Sequence, residues 1–87
     1  MRIEILGMGC ARCDRLEQQV HEALRELSIE AEVEKVSDLG KISSYGVLMT
    51  PGLVINGTVC SSGKVPSMAD LKKWIADQSG QAKREQG

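Results

Sequence analysis

Gly7-Met8-Gly9-Cys10-Ala11-Arg12-Cys13 is the stretch on which the reading of the whole chain turns. Before it, Arg2-Ile3-Glu4-Ile5-Leu6 has the alternation of a half-buried strand. After it, from Ala11 to Leu27, Leu16, Val20, Ala23 or Leu24, and Leu27 recur at helical spacing with charged residues on the other face. A strand, a glycine-rich turn and a helix that begins on two cysteines place both thiols within one helical turn, close enough to bond. The unpaired N–H groups of a helix start favour negative charge, so a thiolate at Cys10 is stabilised relative to a generic thiol of pKa about 8.5, and Arg12 and Arg15 act in the same sense. Cys10, the more N-terminal and exposed of the two, is then the nucleophile toward a substrate disulfide, and Cys13 resolves the mixed disulfide. Two alternatives compete: a pair of merely packed cysteines, and a zinc half-site. The latter needs two more ligands, and only Cys60 and His21 remain, with His21 on the polar side of its helix.

Outward from this core, Ile29, Ala31, Val33 and Lys35 alternate with Glu30, Glu32 and Glu34, which predicts a second strand with one acidic face near a sheet edge. Leu39, Ile42 and Tyr45 have helical spacing, with Ser37 or Asp38 as cap, and predict a short helix between Ser37 and Gly46. Thr50-Pro51 breaks the chain. Asn56-Gly57, between Leu53-Val54-Ile55 and Thr58-Val59-Cys60, is a strong hairpin signal. Ser67 caps a last helix with Asp70 three residues on and Met68, Leu71 and Ile75 as its apolar stripe. The order strand, helix, strand, helix, strand, strand, helix is an α/β arrangement, β-α-β-α-β-β-α: a four-stranded mixed sheet flanked by helices. Residues 1–77 form the one domain and 78–87 a polar tail expected to be disordered. Met49, Met68 and the helix leucines are expected in the core.

The chain has 87 residues, room for one hydrophobic core. Its 41% hydrophobic and 26% charged residues are those of an ordinary globular domain. With 11 Lys and Arg against 12 Asp and Glu it has no excess field for a polyanion, and Trp74 and Tyr45 alone offer no stacking platform for bases. Nucleic acid is therefore excluded as an expected partner. No segment has the apolar length that spans a bilayer, and Met1-Arg2-Ile3-Glu4 does not read as a signal peptide. The expectation is a cytoplasmic monomer without membrane association, in a compartment where thiols stay reduced and three cysteines point to chemistry rather than to a stapling disulfide.

The first strand, the Gly7-Met8-Gly9-Cys10-Ala11-Arg12-Cys13 loop, the helix behind it, Thr50-Pro51-Gly52 before a strand and the Val54-Ile55-Asn56-Gly57 hairpin together resemble the smallest prokaryotic thioredoxins, glutaredoxin-sized redox-active disulfide proteins, over residues 1 to about 77. The resemblance implies a minimal thioredoxin-like fold and thiol-disulfide exchange on protein disulfides with no cofactor. It also implies a cis proline at Pro51 beside the cysteine pair. Thr50 then offers backbone groups to an extended substrate segment, with Met8, Gly9 and Arg12 as further substrate contacts. Ala11-Arg12 replaces the Gly-Pro of large thioredoxins and the Pro-Tyr of glutaredoxins. Ser61-Ser62-Gly63-Lys64 lacks the Gly-Gly and Asp with which glutaredoxins hold glutathione, so the implied electron donor is a flavoenzyme disulfide reductase.

Glu4 lies at the spacing from Cys10 where large thioredoxins carry a buried acid, and two readings stand for it: a buried acceptor for the Cys13 proton, or a solvent-facing carboxylate. Cys60 reads as a small buried filler of the last strand in preference to a third redox thiol, which, if exposed, could take a glutathione cap or an intermolecular disulfide. The segment Ile3 to Leu27 also looks like a heavy-metal-associated domain, whose Gly-Met-x-Cys-x-x-Cys hallmark is met letter for letter, with Cys10 and Cys13 as soft ligands for Cu(I). The helix from Leu39 to Tyr45, the Thr50-Pro51 break and the late hairpin favour the thioredoxin-like reading over this one.

Overall fold

The computed structural model describes residues 1–7 and 11–79. Its elements are β1 (Arg2–Leu6), α1 (Ala11–Leu27), β2 (Glu32–Val36), α2 (Leu39–Ser44), β3 (Gly52–Ile55), β4 (Thr58–Ser62) and α3 (Met68–Ser79). The sheet runs β2-β1-β3-β4. β1 pairs parallel with β2, as a strand-helix-strand crossover requires, and antiparallel with β3; β3 and β4 form the hairpin. Asn56 and Gly57 both have positive φ, 50° and 83°, the backbone that a two-residue hairpin turn demands. A four-stranded mixed sheet with flanking helices is the minimal thioredoxin fold.

Strand alternation divides the core in two. Ile3 and Ile5 of β1 and Leu53 and Ile55 of β3 pack with Leu16, Val20, Ala23 and Leu24 of α1 and Leu71 and Ile75 of α3. Leu6, Val36 and Val54 point the other way and pack with Ile42 of α2 and with Val47. Each fully buried Ile or Leu contributes about 1.5–3 kcal/mol, and most of them lie on the α1/α3 face.

Several expected boundaries move. β2 begins at Glu32, not near Ile29, because α1 closes on a left-handed residue: Ser28 has φ 56°, its N–H donates to the Arg25 carbonyl, and the Ile29 N–H reaches back to the Leu24 carbonyl at 3.0 Å. The chain needs residues 29–31 to turn, and the parallel ladder opens with the Glu32 N–H on the Met1 carbonyl. α2 is shorter than the span from Ser37 to Gly46; Asp38 caps it, accepting from the Gly40 N–H at 2.8 Å. β4 runs on to Ser62 past a bulge that leaves Cys60 unpaired between Val59 and Ser61. α3 continues through Gln78 and Ser79, beyond the end expected at Asp77; residues 80–87 of the expected tail lie outside the described residues. No helix among the described residues is long and apolar enough to cross a membrane.

Candidate functional site

The carboxyl ends of β1 and β2, the start of α1 and the loop before β3 meet at one end of the sheet. Cys13, in the first turn of α1, is only 2% exposed and packs into the cluster that holds Ile3, Ile5 and Leu16. Gly7 makes this possible. Its N–H continues the ladder onto the Val36 carbonyl at 2.9 Å, and a Cβ at this position would stand 2.2 Å from the Cys13 sulfur and 3.7 Å from the Thr50 Cβ. The bare backbone of Gly7 therefore receives the Cys13 Sγ, with Thr50 alongside. Only Gly admits so close an approach, and from the sequence Gly7 reads merely as the end of a strand.

Across from Gly7, the Thr50–Pro51 peptide is cis. Pro51 is buried and Thr50 exposed, and the Pro51 carbonyl accepts from the Gly63 N–H at 2.9 Å, which ties the loop to the end of β4. Gly63 has φ 78°, and a Cβ there would come within 3.1 Å of the Met49 Cβ. Met49 thus lies over the β4 end rather than in the core where the sequence put it: it is 66% exposed, and Leu48 beside it 94%. The site has an apolar rim that period reasoning misses, because these residues belong to no helix or strand.

Arg12 is exposed, as is Arg15, on the first turns of α1. Asp14 of the same segment pairs with Lys35 of β2, which also stands 3.3 Å from Glu17. Cys10, Met8 and Gly9, the other predicted site residues, lie outside the described residues.

Glu4 is 4% exposed, so its solvent-facing reading is overturned. The structure does not bring it to Cys13, however. Between Ile3 and Ile5, which face α1 and Cys13, and opposite Val54 of β3, Glu4 points to the α2 face. There Oε1 accepts from the Tyr45 hydroxyl, and Oε2 lies 3.1 Å from Lys41 Nζ. Burial pushes the carboxyl pKa up, but the Tyr45 hydroxyl and the Lys41 ammonium together outweigh it, and the net shift is downward. Tyr45 was legible only as part of a helix stripe and Lys41 drew no reading, since nothing local links them to a residue some forty positions earlier.

Cys60 is half-buried on the edge strand β4 and packs against the α1/α3 core; its Sγ is 3.6 Å from the Thr58 carbonyl, and burial pushes its thiol pKa up. It behaves as a filler of the bulge. His21 is exposed on α1, 3.9 Å from Glu17, and no cluster of three metal-ligating side chains occurs among the described residues.

A family model described as a thioredoxin domain matches residues 1–76. The chain is 41% identical over 76 residues to a thioredoxin of Methanothermobacter thermautotrophicus, a match that covers 87% of this chain and 99% of that protein. It is 37% identical over 73 residues to a thioredoxin of Methanocaldococcus jannaschii, covering 84% of each. The span of the family model takes in residues 7–13, α2 and the Thr50–Pro51 loop alike. The chain belongs to the thioredoxin family, and its general activity is that of a thiol-disulfide oxidoreductase.

Proposed function

We propose that the chain reduces or exchanges disulfides of protein substrates through a Cys10–Cys13 dithiol. The Cys10 thiolate attacks one sulfur of the substrate disulfide; that S–S bond breaks, a mixed disulfide forms, and the departing substrate thiolate takes up a proton. Cys13, as thiolate, then attacks the Cys10 sulfur, the second substrate thiolate leaves, and the two electrons passed to the substrate are balanced by a new Cys10–Cys13 disulfide. A flavoenzyme disulfide reductase returns those electrons. The observation that carries this reading is the seating of the Cys13 sulfur against Gly7 beside Thr50, three residues on from Cys10 on the first turn of α1.

Thr50 offers backbone groups to an extended segment of the substrate, while Leu48 and Met49 supply apolar contact beside it. Met8, Gly9 and Arg12 complete the contact from the cysteine side. The reading further proposes a monomer working in the cytoplasm, where the reducing poise keeps the dithiol charged with electrons.

The test is to equilibrate chelator-treated protein across a dithiothreitol redox series, trap thiols by alkylation and count them by mass, with Cys10→Ser and Cys13→Ser as controls. A two-electron transition confined to the pair, with mixed disulfides accumulating in Cys13→Ser, is the expected result. A pair that resists oxidation in every buffer sinks the proposal and turns attention to Cu(I) affinity.

A further inference from the structure

The buried acid of β1 turns its carboxylate to the α2 face, and its partners there identify a different task. α2 is only six residues long, and its apolar hold on the sheet is Ile42, with Tyr45 packed partly against the same cluster. Tyr45 ends the helix: its N–H donates to the Ile42 carbonyl at 3.2 Å, and Gly46 follows with φ 77°. Val47 is buried against Leu6 and Val54, and from there the chain passes through the exposed Leu48, Met49 and Thr50 into Pro51. No regular element supports that stretch. Upstream of Val47, what holds it is Ile42 and whatever fixes Tyr45 and Lys41, and both of these side chains converge on the Glu4 carboxylate.

We infer that Glu4 is a positioning residue for the substrate-binding loop: its buried carboxylate, held by Tyr45 and Lys41, clamps α2 to β1 and so sets where Leu48, Met49 and Thr50 stand relative to the Gly7 seat of Cys13. This rests on the proposed reading of that loop as the substrate contact. A buried carboxylate that takes its polar partners from one short helix and its C-cap is directional in a way that apolar packing is not, so it fixes the rotation of a helix too short to be fixed by ridges and grooves. The groups that face Glu4 fit this task. Arg2 of β1 acts on it through space and pairs with Glu34 of β2 at 2.7 Å, Lys41 and Tyr45 come from α2, and β3 contributes only Val54. The carboxylate is therefore held in its charged form by its partners and its proton affinity is lowered, the opposite of what a proton acceptor for a buried thiol requires.

Two readouts test this on the intact chain. The first does not depend on redox activity: in Tyr45→Phe, which keeps the ring and removes only the hydroxyl, amide exchange over residues 46–52 is expected to rise by roughly tenfold, the loss of one charge-assisted hydrogen bond, while α1 and α3 exchange as before. The second compares substrates. Tyr45→Phe and Glu4→Gln are expected to raise KM for a protein disulfide such as insulin several-fold and to leave unchanged both kcat/KM for a small aromatic disulfide and the pH profile of cysteine alkylation. Glu4→Gln, which preserves the shape and one acceptor oxygen, is expected to retain more of the wild-type KM than Glu4→Leu. A shifted alkylation profile in Glu4→Gln makes the acid a proton acceptor and overturns the inference, and so does unaltered exchange over residues 46–52 in a folded Tyr45→Phe. A wild-type protein that reduces neither substrate overturns the proposed function, and the amide-exchange arm still decides whether the clamp exists.

Discussion

The two faces of the sheet are covered in different ways. On one, α1 and α3 bury Ile3, Ile5, Leu53 and Ile55 under a layer of leucine, isoleucine, valine and alanine, and among the described residues the one sulfur-bearing side chain fully inside is Cys13. On the other, the six-residue α2 brings Ile42 alone, the sheet supplies Leu6, Val36 and Val54, and a carboxylate is buried among them. Apolar area is abundant on the first face, so it sets the stability of the domain and gives the cysteine helix a rigid seat. On the second it is scarce, and a few directed polar contacts take over. Cys13 is anchored through the thick face and the loop before β3 through the thin one. One side of the site is therefore far harder to displace than the other.

Truncation of the core is the harshest way to break this contrast. Leu16→Ala or Leu71→Ala is expected to cost about 2–5 kcal/mol, a large part of the ~5–15 kcal/mol available to a domain of this kind. Ile42→Ala is expected near the lower end of that range, because a single turn and a half of helix can settle into the space left behind. Urea unfolding measures both, and equal losses would erase the distinction between the faces. Gly7→Ala comes next: a Cβ 2.2 Å from the Cys13 sulfur forces the thiol out of its seat, an overpacking cost of about 1–3 kcal/mol, with faster alkylation of Cys13 as the second sign.

Acid discriminates between the faces without a mutation in either core. The Glu4 carboxyl is depressed in the folded chain relative to the unfolded one, so its stabilising contribution is complete above the ordinary carboxylate range and is lost as the pH falls through the depressed value. Wild-type stability is expected to decline on acidification below that range, and Glu4→Gln to show a flatter profile there; parallel profiles would remove Glu4 from the balance. The mildest change is on the thick face, where Lys72 of α3 pairs with Glu26 of α1 at 2.5 Å, both partly exposed. Lys72→Ala is expected to cost only about 0.2–1 kcal/mol in urea unfolding, since the apolar contact between the helices remains.

The thick face was the legible one. Leu16, Val20, Ala23 and Leu24 repeat at the helical period, Ser67 and Asp70 mark the start of α3, and Asn56-Gly57 sets the hairpin register, so each element announces itself within a few residues. The cysteine spacing and Thr50-Pro51 were visible for the same reason. The thin face depends on contacts remote in sequence. Glu4 in an apolar strand gives no local sign of which face it takes or of its partners on α2, and Met49 looked like core because its type is apolar although its segment has no period. Gly7 was hidden differently, since its purpose is the space it leaves for a sulfur six residues on.

The sheet order also carries a lesson about synthesis. The first strand to leave the ribosome is an interior one: β1 finds β2 after some thirty residues, but its other edge waits for β3, and Ile3 and Ile5 are not fully roofed until α3 has packed on α1. Until β3 has been made the emerging chain therefore presents an open, apolar β1 edge, with Arg2 and Glu4 as the charges along it. This domain is complete only once α3 has been made, and a nascent chain stalled before residue 52 offers that edge to any neighbouring strand.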